Sequence, residues 1–313
     1  MTLVTVVFEP EVELLALQGR SFALYLEVDF VARIIVIDNT ARGIRPRSWA
    51  RVLREYGDFA PMVELIRARD VSGMPPAKGW SSQQVLKLTV GQLVATDRYL
   101  TLDAKNHLIR TAGRAEFEAE DGRAFANFHT YESHPLRPSL ERVLRYVGLD
   151  PSESVTRFTA TATPFMLYTE FTRELLADLE ERSGRRFGEE FIRAKLTEYF
   201  LYSSWLVARG HALEVLYDPS GIPCPAIWPK GGNTAGVERA LASVTAQNPA
   251  MFSVHRTALA RMDREATRLL SEFWLSRQLF SSRREVRSFI RAYRVVYVYT
   301  MAIKKLRDRG LSA

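Results

Sequence analysis

The chain has 313 residues, 47% of them hydrophobic and 25% charged, a balance that excludes a disordered chain and suffices for one large globular domain. No run of eighteen apolar residues occurs, so no spanning helix is expected, and early acids without a basic leader argue against a signal peptide. The single cysteine, Cys224, excludes an internal disulfide and fits a reducing cytoplasm.

Leu3 to Phe8 reads as a buried first strand, stopped by Glu9-Pro10. Glu11 to Leu26 follows as a helix, Arg33 to Ile37 as a second buried strand ended by Asp38-Asn39, Arg47 to Tyr56 as a helix, and Met62 to Ala68 as a third strand. From Gly79-Trp80 the chain reads as a helix again, with Ser81 or Ser82 as its cap and Val85, Leu88, Leu93 and Val94 near one face. It then becomes a strand, Tyr99 to Leu102, ending in the polar cluster Asp103, Lys105, Asn106 and His107. Strand and helix alternating at this spacing predict an α/β fold with a parallel sheet. In such sheets ligands sit beyond the carboxyl ends of the strands, which marks Asp103 and its neighbours. Neither G-x-G-x-x-G nor a P-loop is present, so a dinucleotide or P-loop site is not expected.

Ala115 to Phe128 alternates around Asp121-Gly122, a hairpin pattern, and Pro138 to Val147 reads as a helix. Arg157 to Thr163 is β-like; after Pro164 a helix runs from about Tyr168 to Arg182, stopped by Gly184. Phe187 to Trp205 reads as one or two helices, Ala212 to Tyr217 as a late strand, and Ile222 to Gly232 as irregular. From Pro249 the chain reads as helical to its end, which divides it into a main region, 1–248, and a C-terminal helical region, 249–313.

The net charge of +7 is concentrated between Arg283 and Arg309, where nine lysines and arginines face only Glu285 and Asp308. Two readings of this basic, aromatic helix stay open. It could lie on an anionic lipid surface through residues such as Tyr293 and Tyr297. Alternatively its apolar stripe packs on the domain and its arginines are solvated. Nucleic acid is not expected as a partner, because the rest of the chain is about neutral.

Several short pieces, in shared order, resemble the GT-A class of nucleotide-sugar glycosyltransferases, and more closely an uncharacterised bacterial family of about this length. They are Trp80 with Gln83-Gln84 and Lys87, Leu102-Asp103-Ala104-Lys105-Asn106, Thr163-Pro164, Thr197-Glu198-Tyr199 with Tyr202, and Phe252-Ser253-Val254-His255-Arg256. The resemblance implies a Rossmann-like, mostly parallel sheet flanked by helices. It also implies a nucleotide-sugar donor and a glycan or lipid-linked acceptor, a role in surface polysaccharide or glycolipid assembly, and a location in the cytoplasm or on the inner face of the membrane. Enzymes of the class hold a divalent ion, Mn²⁺ or Mg²⁺, on a D-x-D motif and a C-terminal histidine, and inverting members use a helix-start acid as base. The matching positions are Asp103, His255 and Glu198.

Lys105 stands where the motif has its second aspartate, which removes one hard oxygen ligand and adds a positive charge. Either Asp103, His255 and the diphosphate hold the metal alone, or Lys105 neutralises the phosphates itself. Asp38, Gln84, Lys87, Asp103, Lys105 and Asn106 are therefore the expected donor-binding residues, Asp103 and His255 the expected metal ligands, and Glu198 the expected base. Gln84 and Lys87 lie one turn apart on a helix. The competing function is a non-catalytic module that binds a membrane or a protein through the basic C-terminal helix.

Overall fold

The computed structural model describes residues 1–71 and 80–308. Gly79 and Arg309 lie outside the described residues, as do the side chains of Trp80, Lys304, Arg307 and Asp308.

Four strands follow the predicted runs closely: β1 (Thr2–Val7), β2 (Arg33–Asp38), β3 (Val63–Arg67) and β4 (Arg98–Asp103). They pair in parallel in the order β3-β2-β1-β4. All six residues of β1 are buried, and Ile34 to Ile37 of β2 are inaccessible. A parallel strand covered on both faces needs no polar alternation, which is why these strands read as unbroken apolar runs.

Helices α1 (Val12–Tyr25) and α2 (Pro46–Glu55) connect β1 to β2 and β2 to β3 and pack on each other. The chain then crosses back past β1 through α3 (Trp80–Thr89) to β4. Right-handed crossovers put α3 on the opposite face from α1 and α2. There α3 meets the Thr169–Ser183 and Glu198–Ala208 helices. The strand order therefore reverses between β1 and β4, and a crevice opens outside their carboxyl ends.

Three features depart from the sequence reading. Phe165–Tyr168 is a fifth strand, antiparallel to β4. It has only four residues and runs directly into a helix, too short for a strand period to show. Residues 212–217 form a short helix, Leu213–Leu216, before two strand residues, Tyr217–Asp218. Met251–Val254, read as part of the helical C-terminal region, is a strand in a second sheet, antiparallel to β5 (Asn106–Leu108) and parallel to Ala226–Ile227.

The helices after Met251–Val254 pack on the same core. The C-terminal helix, Arg283–Asp308, buries Val286, Ile290, Tyr293 and Tyr297. The Tyr293 hydroxyl donates to the Arg256 carbonyl at 3.1 Å, and the Arg294 guanidinium donates to the Met262 carbonyl at 2.8 Å. Of the two open readings the packed one holds for Tyr293 and Tyr297, which face the protein and cannot insert into lipid. Their face of the helix is a brace.

Each of these four side chains contributes about 1.5–3 kcal/mol by burial, together on the order of a domain's whole net stability. A chain ended after Ser282 is predicted to be largely unfolded or aggregated at 25 °C. Urea unfolding followed by circular dichroism checks this; a truncated chain with an unchanged midpoint would contradict the brace.

Candidate active site

The site begins with the turn after β4. The Asp103 N–H donates to Asn106 Oδ1 at 2.7 Å, and the Thr163 hydroxyl donates to the same oxygen at 2.8 Å. Asn106 Nδ2 reaches the Thr163 carbonyl at 3.3 Å and Ser253 Oγ at 3.4 Å. From α1, Gln18 Nε2 donates to the Asp103 and Asn106 carbonyls, both at 3.0 Å. Asn106 is fully buried and spends its amide inside the protein, so it shapes the turn and is not open to a donor.

Asp38 is likewise held inside the protein. It is 1% exposed and accepts from the N–H groups of Thr40 (2.9 Å) and Ile44 (2.7 Å) and from Arg67 (2.5 Å). Its carboxylate closes the loop after β2. His107 belongs to the core as well: its Nε2 accepts from Trp274 Nε1–H at 3.0 Å, and its Nδ1 lies 3.3 Å from the Lys105 carbonyl.

The remaining expected residues converge. Asp103 Oδ1 pairs with Lys87 Nζ from α3 at 2.7 Å, and its Oδ2 pairs with Lys105 Nζ at 2.5 Å. Lys87 Nζ also stands 3.6 Å from Glu198 Oε1, at the start of the Glu198–Ala208 helix. The Glu198 N–H donates to Gln84 Oε1 at 3.2 Å. Gln84 and Lys87 thus share one helix face and one site, while Lys105, on the turn, is the more accessible ammonium.

Burial shapes the electrostatics first. It would raise the Asp103 carboxyl, but Lys105 and Lys87 outweigh it and hold Asp103 well below the usual range. For Glu198 burial wins over Lys87, and the carboxyl is raised. Burial alone would lower Lys87; Asp103, Tyr199 and Glu198 reverse this and raise it. Glu198 Oε2 and Gln84 Nε2 are buried without a hydrogen-bond partner, a costly arrangement that marks places where a further polar group would be stabilised.

Two members of the site had no signal in the sequence. Glu11, just past β1, is buried and pairs with Arg256 at 3.1 Å; burial lifts its carboxyl to about 7 against the pull of Arg256. Arg256 also lies over the Phe8 ring, 4.7 Å from its centroid. Trp228 stands beside Lys105, 5.2 Å from its centroid to Nζ, and beside His255.

The residues present do not fit a divalent metal. Both Asp103 oxygens are held by ammonium groups, and His255 Nδ1 accepts from the Thr257 N–H at 3.1 Å as a helix cap. Among the described residues no three histidine, cysteine or carboxylate side chains gather as a ligand set. Lys87 and Lys105 place fixed positive charge where a metal-dependent site needs its ion.

A model describing a family of unknown function, DUF6492, matches residues 27–220. The chain belongs to this family. The DUF6492 match takes in Lys87, Asp103, Lys105 and Glu198 and ends before Trp228, His255 and Arg256. No curated protein matches the sequence.

Among solved structures, an active-site mutant of LgtC is similar over 88% of this chain and 96% of its own, at 13% identity and a TM-score of 0.47. A crystal structure of the galactosyltransferase LgtC with donor and acceptor sugar analogues is similar over 88% of this chain and 100% of its own, at 14% identity and a TM-score of 0.48. The apo structure of the bifunctional glycosyltransferase WbbM is similar over 82% of this chain and 45% of its own, at 14% identity and a TM-score of 0.43.

His107 generates a prediction about the turn that carries Lys105. Burial lowers its imidazole to about 4, so between pH 6.5 and 4 the unfolded chain takes up a proton that the folded chain refuses. Stability from this group is present at neutral pH and is lost as pH falls through that window. In His107→Gln the amide oxygen still accepts from Trp274 and nothing titrates. Urea midpoints at pH 7 and pH 5 should show the wild type losing about 2 kcal/mol more than the variant. Glu11 and His255 are present in both proteins and cancel; equal losses would contradict the assignment.

Proposed function

We propose that the chain is a glycosyltransferase that binds the diphosphate of a nucleotide-sugar donor on lysine ammonium groups at the carboxyl edge of β1 and β4. The observation that carries this reading is the convergence of Lys87 and Lys105 on Asp103 at the point where the strand order reverses. The resemblance of the Asp103 and Glu198 stretches to GT-A enzymes supports the same assignment.

A leaving nucleoside diphosphate gathers negative charge as its bond to the sugar breaks, and preorganised cations stabilise that charge. Lys105, the outer ammonium, exchanges Asp103 Oδ2 for a phosphate oxygen. Lys87, behind it, stays on Asp103 Oδ1 and keeps the carboxylate in place. The site holds three cations, Lys87, Lys105 and Arg256, against Asp103, Glu198 and Glu11. Burial raises the Glu11 carboxyl to about 7, and a proton retained there tips the balance towards an anionic ligand.

Glu198 is the proposed base. It accepts the proton of the acceptor hydroxyl, whose oxygen forms the new bond to the sugar while the bond to the diphosphate breaks. A buried carboxylate with a raised pKa and an unpartnered oxygen suits this role. With a donor found from a nucleotide-sugar panel, Glu198→Gln should lower turnover by roughly 10²–10⁴-fold with little change in donor affinity. Lys105→Ala should weaken donor binding instead. A fully active Glu198→Gln protein would reduce Glu198 to a helix-start acid.

The proposed acceptor is a surface glycan or lipid-linked saccharide, reached from an anionic membrane face. The outward side of the C-terminal helix supports this part. Val295, Val298 and Tyr299 are 65%, 65% and 67% exposed, and Arg284, Arg287 and Arg291 are exposed about one to four turns before them. No helix among the described residues is long and apolar enough to cross a membrane, so the contact would be peripheral. Three arginines near an anionic leaflet are worth about 3 kcal/mol before salt screening. Sedimentation should show binding to phosphatidylserine vesicles, weak binding to phosphatidylcholine, and loss of binding in Val298→Glu without loss of fold. Equal binding of Val298→Glu would refute this surface.

A further inference from the structure

Trp228 has no role in the chemistry above, and its exposure calls for a reason. It is 52% exposed, although a tryptophan this large is mostly covered in folded proteins. Its backbone is held firmly. Ile227, the preceding residue, pairs with Val254 in the second sheet, and the His255 N–H donates to the Ile227 carbonyl at 2.9 Å. The Gly231 N–H returns to the Trp228 carbonyl at 2.8 Å, closing a short turn that opens on Pro229.

That turn also packs where no side chain fits. A Cβ on Gly236 would lie 2.3 Å from the Gly231 carbonyl oxygen, and one on Gly232 would lie 3.1 Å from the Ala258 backbone. The chain thus fixes a rigid frame and uses it to present an indole to solvent.

The indole walls a pocket of about 420 Å³, within the size range of small-molecule sites. Lys230, Arg239 and Ser243 line it with Trp228, and no acid does. Neither Lys230 nor Arg239 has a hydrogen-bond or ion-pair partner among the described residues. Lys105 of the donor site lies against the same indole, so Trp228 adjoins both that site and the pocket.

We infer that Trp228 and this pocket form a subsite for an anionic pyranose, a sugar carrying a carboxylate or phosphate. The flat apolar face of a pyranose covers the exposed half of the indole, and Lys230 and Arg239 meet its anionic group. As the acceptor side of a transferase this subsite rests on the proposed function; as a binding site it does not.

Saturation-transfer NMR on the full chain tests it with three probes: methyl β-glucuronide, glucose 6-phosphate and the neutral methyl β-glucoside. Uridine diphosphate is measured alongside as a reporter of the donor site. Signal from one or both anionic probes, at least about fivefold above the neutral one, is expected, and the stronger of the two tells carboxylate from phosphate. Trp228→Ala should weaken the anionic probes by about tenfold or more while leaving the diphosphate bound. Lys230→Ala with Arg239→Ala should remove the preference for charge and keep residual ring contact. Binding of the anionic probes without diphosphate binding supports the subsite and counts against the donor reading alone. No binding of any glycoside, no charge preference, or undiminished binding by a folded Trp228→Ala protein overturns the inference.

Discussion

Two ammonium groups share one carboxylate at the end of β4, and much of the surrounding chain serves to make that burial tolerable. Lys87 and Asp103 leave water at a cost of several kcal/mol per ion, recovered only if geometry and hydrogen bonds are good. The turn from Asp103 to Asn106 supplies that geometry. It is fixed from three directions, by Gln18 on α1, by Thr163 before the edge strand, and by Ser253 on the second sheet. Removing Asp103 would leave the buried Lys87 ammonium with Glu198 alone, at 3.6 Å, and breaking a buried pair in this way is strongly destabilising.

The second support runs outward from the same turn. His107 accepts from Trp274, Trp274 packs edge-on against Phe289, and Phe289 belongs to the C-terminal helix. Tyr293 of that helix bonds to the carbonyl of Arg256, whose side chain pairs with Glu11 at the end of β1. One face of the helix is therefore tied to the site through packed side chains, and the opposite face carries the exposed arginines and valines. The packed face and the exposed face use different residues of a single element.

The central sheet was legible because its strands are covered on both faces, which leaves long apolar runs separated by amphipathic helices. Asp103 stood out by its place at a strand end and Lys87 by its helix face, while Glu198 was reached through the resemblance to GT-A enzymes; the structure brings the three side chains together. The sequence reading failed where tertiary pairing alone makes structure, as in the four-residue strands Phe165–Tyr168 and Met251–Val254. Asp38 and Asn106, expected to face a donor, have their side chains bonded within the protein. A polar side chain at a strand end can face a ligand or lock a turn, and nothing local distinguishes the two. Trp228 was hidden in a stretch of prolines and glycines that reads as irregular; its placement depends on the pairing of the preceding residue, Ile227, with Val254. Glu11 became part of the site only when the C-terminal region brought Arg256 to it.

The central claim is that fixed lysine charge stands in for a divalent ion in holding a diphosphate. Calorimetry of a nucleotide-sugar panel, run once in EDTA and once in Mn²⁺, tests it most directly. The predicted result is a donor whose Kd is the same in both, weakens as salt is raised, and weakens again in Lys105→Ala. Binding that appears only with Mn²⁺, or is indifferent to Lys105, would contradict it.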